Sequence, residues 1–145
     1  MSLRDNSLSI WFSERTDSSW ASPIKLGPQI NAGVSGKWSP SVSPDGQKLY
    51  YVDDSRGGFY WDIWVSTFDS SINDWGTSVN LGSPVNTTGA EGAAHVAPDG
   101  RQLYFTSDGS GRCGIYRSEW DGTSWSVPQL QWGSCTPEYP SVTAD

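Results

Sequence analysis

Apolar residues fall in short runs along this chain, and Gly, Pro, Asp or Ser interrupts them every few positions. Leu49-Tyr50-Tyr51-Val52, Ile63-Trp64-Val65, Leu103-Tyr104-Phe105-Thr106 and Ile115-Tyr116-Arg117 have the β-branched and aromatic make-up of pleated, packed strands. Before two of these runs stand Ser43-Pro44-Asp45-Gly46 and Ala97-Pro98-Asp99-Gly100. There Pro presets φ for the second position of a type I turn and Gly closes it, so each predicts a hairpin. Sixteen Gly and nine Pro leave few windows for a helix of ordinary length. The pattern predicts an all-β protein.

The runs recur in order. Ile10, Ile63 and Ile115 open three similar segments; Ser13, Ser66 and Ser118 follow at one fixed offset; Trp20, Trp75 and Trp125 come next, 55 and then 50 residues apart; Gly27, Gly82 and Gly133 close them. A second element, SPSVSPDGQKLYYVDD from Ser39 and AAHVAPDGRQLYFTSD from Ala93, precedes two of the copies, and YPSVTAD repeats its opening at the C-terminus. Each unit reads as four short antiparallel strands, and such a unit at this period is the signature of a β-propeller blade. The 145 residues form a single domain, with units at about 9–38, 39–92 and 93–138 and residues 139–145 starting a further blade.

The Ser-Pro-Asp-Gly turn, the Leu-Tyr-Phe strand, the Gly-rich loop and then Asp-Ile-Trp or Gly-Ile-Tyr resemble the TolB-like, Pro-Asp type of WD40-like propeller repeat. The resemblance runs from Ile10 to Asp145. It implies a binding or scaffold module that mediates protein–protein interaction, and a bacterial periplasmic or envelope setting; residues 1–15 hold no signal-peptide apolar centre. About three blades cannot close a ring, which needs four to eight. Either the chain is a fragment of a longer propeller or a second chain completes it, and a homodimer sharing its termini across the interface is the expectation.

A formal charge of −7 removes the basic footprint that nucleic acid or an anionic lipid surface requires, and no apolar stretch approaches a membrane span. No ligand spacing for a metal and no cofactor motif occurs. Trp20, Trp75 and Trp125 repeat in register, which favours blade-to-blade packing over ligand contact. Asp45, Asp99 and Asp145 are turn residues for the same reason, not catalytic acids.

Residues that do not repeat are the informative ones, and in a propeller they gather on the loop face. The candidates are Arg56, Tyr60 and Trp61 in the second-to-third-strand loop of one blade and Arg112 in that of the next; Lys37, Trp38, Glu91, Glu138 and Tyr139 lie in connecting loops. His95 occupies the inner-strand position of Ser41 and Ser141 and faces the channel. Trp38, Tyr60 and Trp61 with the flanking charges suit a peptide anchor or, as the alternative, a glycan site of lectin type. They equally suit burial against neighbouring loops. A propeller glycosidase would need two carboxylates about 5 to 10 Å apart. The inner strands carry none, and only Glu91 and Glu138 could converge, so the chain reads as non-catalytic. Cys113 and Cys135 fall on one face, as a disulfide or as two thiols. Asn86-Thr87-Thr88 matches the glycosylation sequon.

Overall fold

A computed structural model describes residues 8–109 and 111–133. It contains eleven strands and one four-residue helix, arranged as one partial and two full propeller blades. Strands β1 (Trp11–Phe12) and β2 (Ile24–Lys25) form the first, a two-stranded antiparallel sheet followed by α1 (Pro28–Asn31). The second blade runs outward through β3 (Lys37–Val42), β4 (Lys48–Asp53) and β5 (Asp62–Asp69). Its outer strand comes in two pieces, β6 (Asp74–Trp75) and β7 (Val79–Asn80), both paired to β5. The third blade is β8 (Glu91–Val96), β9 (Gln102–Ser107), β10 (Gly114–Glu119) and β11 (Gln129–Trp132), in that spatial order.

The repeated residues have repeated tasks. Gly46 and Gly100 close the Pro-Asp turns by donating their N–H groups to Ser43 and Ala97, at φ of 72° and 69°. Asp45 and Asp99 accept from the backbone two residues on, which confirms them as turn formers. The hydroxyls of Ser13, Ser66 and Ser118 donate to the carbonyls of Ala21, Gly76 and Ser126, the residues that follow each repeated Trp. This clasp holds the start of the outer strand to the third strand in every blade. Each inner strand contains a bulge, between Trp38 and Ser41 and between Gly92 and His95, with the non-glycine residues Ser39 and Ala93 at positive φ. The bulge bends the strand away from the ladder.

Adjacent blades pack face to face. Ile10, Leu26 and Ile30 of the first blade meet Leu49, Tyr51, Trp64 and Trp75 of the second. Tyr50, Ile63, Val65, Leu81 and Val85 of the second meet Leu103, Phe105, Tyr116 and Trp125 of the third. Near the axis, β3 and β8 lie side by side, and the Val96 N–H donates to the Ser41 hydroxyl at 3.1 Å. The repeated Trp therefore packs backward, onto the preceding blade. Trp75 and Trp125 do so; Trp20 is 68% exposed, contrary to the packing expected of it, because no described blade stands on its side.

One repeated connection is not evident from strand patterning. Asn31 and Asn86 each accept from the N–H of the third-strand Ile (Ile10 or Ile63) and donate to its carbonyl, at 2.9 Å throughout. Leu-Gly-x-x-Ile/Val-Asn, at 26–31 and 81–86, is the signature of this clamp, with Ile30 and Val85 buried beside it. The sequon asparagine is thus Asn86 itself, buried and bonded through both ends of its amide, and unavailable to a glycan.

Candidate functional site

The loop between β4 and β5 and the start of β8 meet on one end of the second and third blades. The β4–β5 loop turns through two glycines, Gly57 and Gly58, at φ of 76° and 69°, a conformation that side chains rarely adopt. Three aromatics follow in a row. Phe59 is 86% exposed and Tyr60 52%, whereas Trp61 is half-buried. Trp61 meets Trp38 of β3 edge to face, with centroids 5.4 Å apart and rings 87° to one another. That arrangement places the positive ring edge on the negative face of its neighbour.

Arg56 fixes this loop. Its guanidinium pairs with Asp62 at 2.8 Å and donates to the carbonyls of Thr87, Thr88 and Gly89 in the connection leading to β8. It also lies 5.4 Å from the centre of the Tyr60 ring. The hydrogen bond to Asp62 raises the Arg56 pKa above its ordinary value, so the clamp is cationic at every physiological pH. The second oxygen of Asp62 accepts from the Asn80 amide.

Glu91 takes a different place from the one expected of a loop ligand. It opens β8 and is 0% exposed. One carboxylate oxygen accepts from the Thr87 N–H at 2.9 Å; the other accepts from the hydroxyls of Thr87 at 2.6 Å and Ser107 at 2.8 Å. Its own N–H donates to the Trp61 carbonyl. A buried carboxylate needs such donors to offset its lost hydration, and these leave it turned inward, away from any ligand. Lys37 is likewise buried, paired with Asp53 at 3.1 Å and bonded to Ala32 and Ser35, and does not reach the loop surface.

The remaining candidates are dispersed. His95 lies in register with Tyr104, as Ser41 does with Tyr50, and is half-buried near the axis. Four residues along β8 from Glu91 put it about 13 Å from that site. Arg112 is exposed in the equivalent loop of the third blade, where its carbonyl accepts from the Tyr116 hydroxyl. Glu138, Tyr139, Ser141, Asp145 and Cys135 lie outside the described residues, so the pairing of Cys113 with Cys135 does too. Among the described residues, no group of three His, Cys, Asp or Glu side chains converges as for a metal ion. The exposed Phe59 was not singled out by residue type, although a Gly-Gly pair followed by three aromatics in a loop is a legible signal.

At the opposite end of the strands, a cleft of about 350 Å³ separates the second and third blades, lined by Lys48, Tyr50, Thr67, Trp120 and Trp125 among others. The Lys48 ammonium already lies 4.8 Å from the Trp120 ring centre, and Trp125 packs against that ring at 5.2 Å. The aromatic surface there is largely engaged within the chain.

No protein-family model matches the chain, and no curated protein matches its sequence. Among solved structures, it is similar to the crystal structure of TolB from Acinetobacter baumannii, with a TM-score of 0.50 and 21% identity over 79% of this chain and 25% of that one. The chain thus spans about a quarter of the length of that protein. At this identity the likeness is one of fold: the chain has the blade architecture of a TolB-like β-propeller.

Proposed function

We propose that this chain is a non-catalytic propeller module that binds a protein partner, using Phe59 and Tyr60 as apolar anchors. The observation that carries the reading is an aromatic pair 86% and 52% exposed on a loop that is otherwise tied down. Single exposed apolar residues are ordinary on protein surfaces; adjacent aromatics on an ordered loop are the kind of anchor that interfaces use. The clamp by Arg56 lowers the entropic cost of presenting them.

A protein surface suits this loop better than a sugar. Glycan recognition needs directional polar groups around the stacking ring, and here the Arg56 donors are engaged by Asp62 and three carbonyls. Phe59 adds hydrophobic area and no hydrogen-bonding group. The carboxylate of Glu91 is sequestered, which supports the non-catalytic reading.

A displayed peptide library and a glycan array, each probed with the wild-type chain and with the Phe59→Ala/Tyr60→Ala variant, test this. Peptides selected by the wild type should bind the variant at least about tenfold more weakly, a difference of about 1.4 kcal/mol, while its thermal unfolding is unchanged. A glycan signal lost on Tyr60→Ala, with no peptide selected, would replace the protein-binding reading with the lectin one.

A further inference from the structure

We infer that the outer face of the first blade is a docking surface for the third blade of a second copy of this chain. Inside the chain the same contact is made twice. A forward face carrying Ile10 and Leu26, or Ile63 and Leu81, receives a backward face carrying Trp64 and Trp75, or Tyr116 and Trp125. The hydrogen bonds reproduce the correspondence: Leu26 and Leu81 donate their N–H groups to the carbonyls of Ile10 and Ile63.

Among the described residues, the first and third blades present the unfilled halves of that contact. Trp11, one residue after Ile10, holds the position of Trp64 and Tyr116, and Trp20 that of Trp75 and Trp125; the two are 55% and 68% exposed. On the third blade, Ile115 stands opposite Trp132, so the two share one face of the sheet. Tyr116 and Leu130 pair on the other face, which packs on the second blade. Ile115 is the equivalent of Ile63, and Trp132, 64% exposed, stands where Leu26 and Leu81 stand. Each copy therefore offers the aromatic half on its first blade and the Ile-centred half on its third.

The occupant follows from this match. A partner of unrelated surface would have to imitate one half of the contact, whereas a second copy supplies both. Two copies related by a two-fold axis make the contact twice and close on themselves, their described blades occupying six positions, within the four to eight that closed propellers use.

Sedimentation velocity of the 145-residue chain tests the inference. The wild type should run at twice the mass of one 15.8 kDa chain. Trp20→Glu and Trp132→Glu should each dissociate it, with association at least about tenfold weaker, and an equimolar mixture of the two should recover it, since one wild-type contact is restored between unlike chains. Val34→Glu, at an exposed loop position outside both faces, should leave the mass unchanged. Thermal unfolding of each variant establishes that it is folded, and Trp20→Ala and Trp132→Ala substitute where a glutamate variant is not. A wild type that stays at the single-chain mass up to about 100 μM, where any contact worth more than about 5.5 kcal/mol would show, overturns the inference. Dissociation by Trp20→Glu alone overturns it as well, because the first blade would then be pairing with itself. So does a mass that keeps growing with concentration beyond two copies.

Discussion

Replacing Glu91 separates a residue that builds the loop face from one that serves a ligand. The side chain is fully buried and receives three hydrogen bonds, from the Thr87 N–H and from the hydroxyls of Thr87 and Ser107. A hydrogen bond to a charged group contributes about 1.5 to 3 kcal/mol net, and a buried donor left without a partner costs about 1 to 3 kcal/mol. The hydroxyls can turn toward other acceptors; the Thr87 N–H cannot. Glu91→Ala should therefore destabilise the fold by about 2 to 4 kcal/mol, from the charge-assisted bonds lost and the one buried N–H left stranded. With a urea m-value of about 1.5 to 2 kcal/mol/M, the unfolding midpoint falls by about 2 M. Glu91→Gln keeps the shape and one acceptor, and its nitrogen can donate to the hydroxyls; it should lose only about 1 to 2 kcal/mol. Amide exchange should quicken at Thr87 and Glu91 in the alanine variant. A midpoint within about 0.3 M of wild type for Glu91→Ala would refute the reasoning, and a glutamine variant as unstable as the alanine one would show that charge, not hydrogen bonding, holds the connection.

Other consequences are measurable in the same way. Trp125→Ala removes a buried indole packed on Tyr50 and Trp120 and should cost about 3 to 5 kcal/mol by urea unfolding. Ala93→Gly relieves a side chain held at φ of 46° and should raise stability by about 0.5 to 1 kcal/mol, part of the gain being offset by the greater freedom of glycine when unfolded. The Asp121 carboxylate accepts from the Thr123 and Ser124 N–H groups and hydroxyls, which lowers its pKa from 3.8 to about 2. Because the folded state prefers the ionised form, its stabilising contribution is complete above the unfolded pKa and fades as pH falls toward 2; a carboxyl-carbon NMR titration should find that midpoint. Tyr50 is shifted the other way, its phenol pushed up to about 12 chiefly by burial, so ultraviolet titration should find a phenol ionising there that Tyr50→Phe removes.

The fold was legible because its signals are local. Pro-Asp-Gly turns, aromatic strands and the Ile and Ser offsets each depend on residues within one blade, and the structure uses each as the pattern indicates. The candidate site was legible only in part. Trp61 and Trp38 are brought together by a loop and an inner strand of one blade, while Tyr60 lies against Arg56. Glu91 looked like a loop residue because Gly89-Ala90-Glu91-Gly92 has no strand alternation. Its burial depends on hydroxyls at Thr87 and Ser107, the second of which is sixteen residues away and near only once β8 and β9 pair. Lys37 was misread for the same reason, since Asp53 reaches it only across the β3–β4 ladder. Trp20 shows the limit of repeat logic: equal spacing predicts equal orientation, but burial also requires a neighbour.

The asparagine clamp has a mechanical consequence. Asn86 ties the third strand of its blade directly to the connection that enters the next one, and Asn31 does the same one blade earlier. Load can then pass from blade to blade without crossing the outermost strands, where β2 and β7 are only two residues long. Fraying at the rim leaves the modules tethered, so the periphery is free to drift in sequence and length while the hub keeps its spacing.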